Sequence, residues 1–279
     1  MRRVVHISDL HFGHNDPTLL DPLRDAIARI DPHVVIVSGD LVEHATDEEF
    51  RAAQAFLRLL PCPQIVVPGN HDLPFWNLAR RVLEGLRKYR RYITKDLSPE
   101  YVDDEIAIVG ADSAHLFPVK GGTITGFQLN GLVNRFSSFP NGLVRILVTH
   151  HPFDLPDPAN PHLLMGRARR SVARLAPVVD VLAAGHIHVS SVGSTSARYN
   201  TAGHSMVYVQ AGTAISSRYK GEANAFNLLR IGRSEAMQKQ VVVDRYAWVN
   251  ERSSFAPLAS TEFLLGKEGW AQIQPVLAR

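Results

Sequence analysis

Apolar residues recur along this chain in two rhythms, and the change from one to the other outlines the fold. Val4 to Ile7 is a short, mostly apolar run that ends in Ser8-Asp9. Leu20, Leu23, Ile27 and Ile30 then follow at helical spacing, which predicts a helix over 19–30. Asp31-Pro32 stops that helix, because a proline disfavours the helical conformation of the residue before it. Val34 to Val37 is a continuous β-branched run, the pattern of a strand buried on both faces. A second helix is predicted over 47–60, with Phe50, Ala53, Phe56, Leu57 and Leu60 on one side, and Ile65 to Val67 reads as a third strand. This alternation of strand and helix argues for βαβ units and a parallel sheet.

The second half reads differently. Ile106 to Ala111, Arg145 to Thr149 and Val178 to Ala183 are strand patterns. Val207 to Ala211, Ala225 to Ile231 and Gln240 to Tyr246 follow with little helix between them and look antiparallel. Together the halves predict an α/β fold of two mixed sheets packed face to face with helices outside. Leu78, Val82, Leu86 and Tyr89 form a stripe at helical spacing, which leaves Arg80, Arg81, Arg87, Lys88, Arg90 and Arg91 on the face expected to be solvated. The Pro-rich stretch from Pro152 to Pro161 is expected to be a loop. With Arg167, Arg169, Arg170 and Arg174 behind it, the segment 152–170 is a candidate lid over an anionic substrate. From Glu251 to Arg279 the apolar residues have no clear period.

Composition narrows the class. A chain of 279 residues suits one large domain, and 45% hydrophobic with 20% charged residues is ordinary for a globular protein. No apolar run approaches a membrane span, and Asp9 comes too soon after Met1 for a signal peptide, so a cytoplasmic location is expected. The single cysteine, Cys62, excludes an intrachain disulfide. A formal net charge of +3 gives little general pull on nucleic acid, which is therefore a possible but not a favoured partner. A homo-oligomer is left open. The 13 histidines shift attention to metal and acid–base chemistry.

Five polar clusters sit at the carboxyl ends of predicted strands, where open α/β sheets place their sites. They are Asp9-Leu10-His11, Gly39-Asp40-Leu41-Val42-Glu43, Gly69-Asn70-His71-Asp72, His150-His151 and Gly185-His186-Ile187-His188. Each alone has a bland reading: an Asp-x-His is more often a turn, and paired histidines are often a satisfied buried pair. Jointly, in this order and each past a strand, they offer carboxylate, imidazole and amide donors without thiolate, a set suited to Mn, Fe or Zn. Seven of them, Asp9, His11, Asp40, Asn70, His150, His186 and His188, exceed one tetrahedral ion and match two ions that share a carboxylate.

The series resembles the calcineurin-like metallophosphoesterases, whose pattern is Asp-x-His, Gly-Asp-x-x-(Asp/Glu), Gly-Asn-His-(Asp/Glu), a His, and Gly-His-x-His. The blocks run from Asp9 to His188, about two thirds of the chain. The resemblance implies a four-layer α/β/β/α sandwich with a dinuclear metal site at the strand carboxyl ends. It implies a metallophosphoesterase domain over 1–250 and a tail of unassigned role over 251–279. It implies that Asp9, His11, Asp40 and His188 hold one divalent or trivalent ion, and that Asp40, Asn70, His150 and His186 hold the other. His150 is preferred to His151 because the family's ligand directly follows the strand. His71 resembles the family's catalytic histidine, with Asp72 grouped beside it and Glu43 expected to orient it. Glu43 departs from the Asp of many members by one methylene. His14 and His115 are candidate substrate contacts.

The reaction implied is phosphoester hydrolysis by a metal-bridging hydroxide, with His71 assisting the leaving oxygen. Length and motif look like the bacterial cyclic-nucleotide and small-phosphodiester branch. A DNA or RNA nuclease, a lipid pyrophosphate or phosphomonoester hydrolase, and last a non-catalytic scaffold are the other readings.

Overall fold

The computed structural model describes residues 1–75, 77–117, 121–155, 163–218 and 221–273. Thirteen strands and six α-helices follow one another among them. In chain order these are β1 (Arg2–Ile7), α1 (Leu20–Ile30), β2 (Val34–Val37), α2 (Asp47–Leu57), β3 (Gln64–Val66), α3 (Leu78–Glu84) and α4 (Arg87–Tyr92). Then come β4 (Glu100–Val102), β5 (Ile106–Gly110), α5 (Gly126–Ser137), β6 (Val144–Val148), α6 (Ala168–Leu175), β7 (Val181–Ala184), β8 (Ser191–Ser194) and β9 (Val207–Gln210). The chain closes with β10 (Ala225–Arg233), β11 (Lys239–Val249), β12 (Ser254–Gly266) and β13 (Gly269–Ile273).

The strands form a seven-stranded sheet in the order β13-β12-β11-β10-β1-β2-β3 and a six-stranded sheet in the order β4-β5-β6-β7-β9-β8. Side-chain alternation sorts each strand between two cores. Val4, Val34 and Ile36 point into the layer between the sheets, where they meet Ile108, Ile146, Val181 and Val209. Val5, Ile7, Val35 and Val37 point the other way, onto Leu23 and Ile27 of α1 and Phe50 and Ala53 of α2. On the outer face of the second sheet, Leu147 and Leu182 pack with Leu132 and Phe136 of α5 and Val172 of α6. The layers are therefore helix, sheet, sheet, helix. All four residues of β2 are fully buried, each contributing roughly 1.5–3 kcal/mol of hydrophobic stabilisation.

Helix ends follow their local chemistry. Asp31 closes α1 in a left-handed conformation, and Thr46 with Glu49 forms a reciprocal capping box at the start of α2. The helix expected to run to Leu60 ends at Leu57, with Arg58 as its cap. The stripe from Leu78 to Tyr89 does not make one helix. Gly85, at φ 49 and ψ −130, breaks it into α3 and α4. Tyr89 is buried, Leu78 and Val82 are about half exposed, and Arg81, expected in solvent, is fully buried. With the helix broken at Gly85, one periodic face no longer describes both pieces.

Strand direction also differs in one place. β9 runs antiparallel to β8 but parallel to β7, because the chain crosses over between Ser194 and Val207 before it re-enters the sheet. Ser254–Gly266 and Gly269–Ile273, where the sequence shows no period, extend the first sheet by two antiparallel strands. Within the segment 152–170, residues 156–162 lie outside the described residues, as do 274–279 of the tail.

Candidate active site

The strands β1, β2, β3, β6 and β7 all end at one edge of the sandwich, and each delivers its polar cluster there. The chain must turn at once as it leaves each strand. Asp9, His11, Asp40, His186 and His188 all take left-handed φ values, between 48° and 75°. For residues with a β-carbon this costs on the order of 1 kcal/mol each, a strain that native structures retain mainly at functional sites. Gly39 (φ 93°) and Gly185 make the close approach possible. A β-carbon on Gly39 would lie 2.7 Å from Nδ1 of His150, and one on Gly185 would lie 2.5 Å from an Asp9 oxygen.

Asp9, His11, Asp40 and His188 present donor atoms that all lie within 4.8 Å of one another, and all four residues are buried. Nε2 of His11 is 3.1 Å from Nε2 of His188, and Oδ1 of Asp9 is 3.2 Å from the latter. Oδ2 of Asp40 lies 3.7 Å from Nε2 of His11 and 3.3 Å from Nε2 of His150. On the far side of Asp40, Nε2 of His150 is 3.2 Å from Oδ1 of Asn70, and the rings of His150 and His186 are 5.1 Å apart. Asp40 thus stands between two groups of donors. His151 joins His150 and His186 in a third-side cluster, but its Nδ1 is 2.9 Å from Oγ of Ser113.

Contacts at the other ring nitrogen turn the imidazoles inward. Nδ1 of His150 donates to the Ser38 carbonyl at 2.7 Å and Nδ1 of His188 donates to the Arg218 carbonyl at 3.3 Å, while Nδ1 of His11 makes an ion-pair contact of 2.8 Å with Oε2 of Glu43 that lacks hydrogen-bond geometry. In each ring this leaves Nε2 facing the cluster, the arrangement by which metal-binding histidines are usually oriented. Oδ1 of Asp9 is buried and has no hydrogen-bond partner among the described residues, which a cation would supply. The donor set fits a divalent metal.

The buried carboxylates make the cluster a place that favours positive charge. Burial opposes charge on Asp9 and Asp40, yet the surrounding imidazoles hold both carboxyls well below the usual range. Burial likewise opposes charge on His11, but Asp9, Glu43 and Asp40 outweigh it and raise the ring to about 10. His150 rises to about 9 for the same reason, whereas burial beside His150 pushes His186 down to about 3.

The other expected residues fall in different places. His71 sits beside the cluster, its ring edge-on to His11 with centroids 5.0 Å apart. Its Nδ1 donates to the backbone carbonyl of Glu43 at 3.0 Å, while the Glu43 carboxylate is 3.8 Å away and turned onto His11. Asp72 faces away from the donors. Its carboxylate accepts from the N–H groups of Leu41, Val42 and Gly69 and so ties two of the site loops together. Burial and the Asp40 charge raise its pKa to about 7. His14 is exposed, and Nε2 of His115 donates to the Thr123 carbonyl at 2.8 Å.

Three residues without a motif also belong here. Phe75 stacks on His71, with ring centroids 4.3 Å apart. Arg81 donates to the carbonyls of Asn70, His115 and Leu116 and pins the Asn70 loop. Arg218 lies 3.0 Å from both carboxylate oxygens of Glu43. The one sequence signal for Arg218 is its place just past β9, on the same sheet edge.

Comparison with known proteins agrees with this geometry. Residues 2–190 match the family model of the calcineurin-like phosphoesterases. The chain is 27% identical over 206 residues to a protein of Arcobacter nitrofigilis named a probable glycerophosphodiester phosphodiesterase, covering 66% of this chain and 71% of that one. It is 24% identical over 203 residues to the 3′,5′-cyclic adenosine monophosphate phosphodiesterase of Escherichia coli, covering 67% and 69%. The fold of a purple acid phosphatase from yellow lupin superposes with a TM-score of 0.69 at 13% identity, over 94% of this chain and 53% of the lupin chain. The chain belongs to the calcineurin-like phosphoesterase family.

Proposed function

We propose that this protein hydrolyses small phosphodiesters, with glycerophosphodiesters and cyclic nucleotides as the classes to try first. In this reading Asp9, His11, Asp40 and His188 hold one metal ion, and Asp40, Asn70, His150 and His186 hold a second. The observation that carries it is the position of the Asp40 carboxylate, whose Oδ2 lies within 3.7 Å of Nε2 of both His11 and His150. Oxygen and imidazole donors favour Mn, Fe or Zn. Cations bound there would acidify water and neutralise phosphoryl oxygens. The names of the two bacterial relatives support the diester class.

The chain's own residues supply orientation and proton control. Oδ1 of Asp40 accepts from the His71 N–H at 2.8 Å and fixes that loop. With Nδ1 committed to the Glu43 carbonyl, Nε2 of His71 is the nitrogen left to exchange a proton with the leaving oxygen. Burial lowers the pKa of His71, and the negative charge of a bound phosphate would raise it again. Phe75 holds the ring plane and offers an apolar wall beside it.

The test is hydrolysis of bis(p-nitrophenyl) phosphate beside p-nitrophenyl phosphate after reconstitution with Mn²⁺, with Asp40→Ala as blank. Diester turnover should exceed monoester turnover and fall by roughly 100-fold or more in the variant. A protein that takes up no metal overturns the reading, and preference for the monoester overturns the diester assignment.

A further inference from the structure

Glu43 sits where a carboxylate is a hazard as well as a support. It is buried, and one of its oxygens touches the ring of His11. His11, Glu43 and His71 also bring donor atoms within 4.8 Å of one another, so together they form a site that could hold a cation. A cation there would draw the Glu43 carboxylate off His11 and toward His71. Something must keep Glu43 on His11 and away from such a role.

Arg218 has that position. One guanidinium nitrogen, Nη1, lies 3.0 Å from each oxygen of Glu43, so the carboxylate is held at both corners by a cation the chain itself provides. The side chain of Glu43 is 8% exposed and that of Arg218 is 37% exposed, so the arginine reaches inward from the rim. Hydrogen bonds tie the segment that leads up to it. The Arg218 N–H donates to Oγ of Ser216, Ser217 N–H donates to the His14 carbonyl at 3.0 Å, and Asn224 donates to the Ser216 carbonyl at 2.8 Å. The Arg218 carbonyl meanwhile accepts from Nδ1 of His188. One residue therefore reaches two of the four residues of the Asp9–His11–Asp40–His188 cluster: His188 through its own carbonyl, and His11 through Glu43.

We propose that Arg218 is a positioning residue for the Asp9–His11–Asp40–His188 metal site, locking Glu43 onto His11 and denying this carboxylate to a cation beside His71. The inference rests on the metal reading proposed above. Arg218 does not touch the phosphate in this account, and its effect passes through metal occupancy.

Mn²⁺ titration of the metal-free protein, followed by electron paramagnetic resonance, separates the cases without reference to turnover. In Arg218→Ala one Mn²⁺ step should weaken by roughly 10–100-fold while the other stays as in the wild type. Activity on bis(p-nitrophenyl) phosphate should return as Mn²⁺ is raised, with KM unchanged at saturation. Arg218→Lys places one cationic nitrogen against the same two oxygens and should restore most of the affinity. Glu43→Gln should weaken the same step, and the double variant Arg218→Ala/Glu43→Gln should be no weaker than Glu43→Gln alone, since both act through one contact. If Arg218→Ala does not fold, the Lys and Gln variants still decide. Unchanged Mn²⁺ steps with a raised KM would make Arg218 a substrate contact and overturn the proposal, as would unchanged Mn²⁺ steps in Glu43→Gln. A wild-type protein that binds no Mn²⁺ overturns this proposal together with the reading beneath it.

Discussion

The two ends of the seven-stranded sheet are built on opposite terms. From β10 to β13 the chain zigzags through long antiparallel pairings, with a single irregularity between Arg245 and Tyr246, and no strand residue there except Gly269 has a positive φ. At β1, β2 and β3 the strands are short and parallel, and the turns that leave them hold buried charges and left-handed Asp and His residues. The first region has its backbone groups paired and its inner face apolar, so it stabilises the molecule. The second carries strain and desolvated charge, which persist only because the sheet cores beneath fix both ends of every turn. Stability and chemistry are thus separated along one sheet, and substitutions in the two regions should have different signatures.

The largest expected effect is on the chemical side. His71→Ala should cut turnover of bis(p-nitrophenyl) phosphate by about 10²–10⁴-fold while metal content and melting temperature stay near those of the wild type. Metal analysis beside a kinetic assay checks this, and full activity in the variant would remove His71 from the reaction.

The hairpin region should show the reverse. Phe263 of β12 is fully buried between the sheets, and Phe263→Ala should cost about 3–5 kcal/mol of unfolding free energy. Denaturant unfolding of the metal-free protein measures the loss, and metal bound per folded molecule should not change. A variant that kept its stability but lost metal would show that the two regions are not separate.

A smaller effect sharpens the boundary between them. Asp112, just past β5, is buried enough that its pKa rises from 3.8 to about 6, although the Ala114 N–H it accepts pulls the other way. A raised folded pKa means that stability from the protonated form is present below about pH 4 and is lost as pH climbs through about 6. Asp112→Asn keeps the acceptor and cannot ionise. It should match the wild type near pH 4 and exceed it above pH 7 by at most about 3 kcal/mol, read from unfolding curves at the two pH values. Equal stability at both would show that water reaches the carboxylate.

Legibility in the sequence followed local physics. β2 was legible because four consecutive β-branched residues are buried on both faces, and α1 because its apolar spacing ends at Asp31-Pro32. The five polar clusters were legible because each directly follows a strand. β12 was not, because its middle lies open to solvent and its exposure does not alternate. Arg81 was misread because a basic residue at helical spacing is usually solvated, and only the Asn70, His115 and Leu116 carbonyls explain its burial. The Glu43 carboxylate, expected to orient His71, lies 3.8 Å from it and 2.8 Å from His11, a difference that nothing local in the sequence shows.

The sequence by itself determined which segments are strand or helix over the first seventy residues and which donor types stand at the strand ends. Those are matters of side-chain period and of what each residue type can bind, and both are local. The tertiary structure alone decided that Asp40 stands between His11 and His150, that the Glu43 carboxylate serves His11 while its carbonyl serves His71, and that Arg218 holds Glu43 from 175 residues away. Contacts of that kind form between the ends of separate strands, so their geometry exists only once the two sheets have packed and brought those ends to one edge.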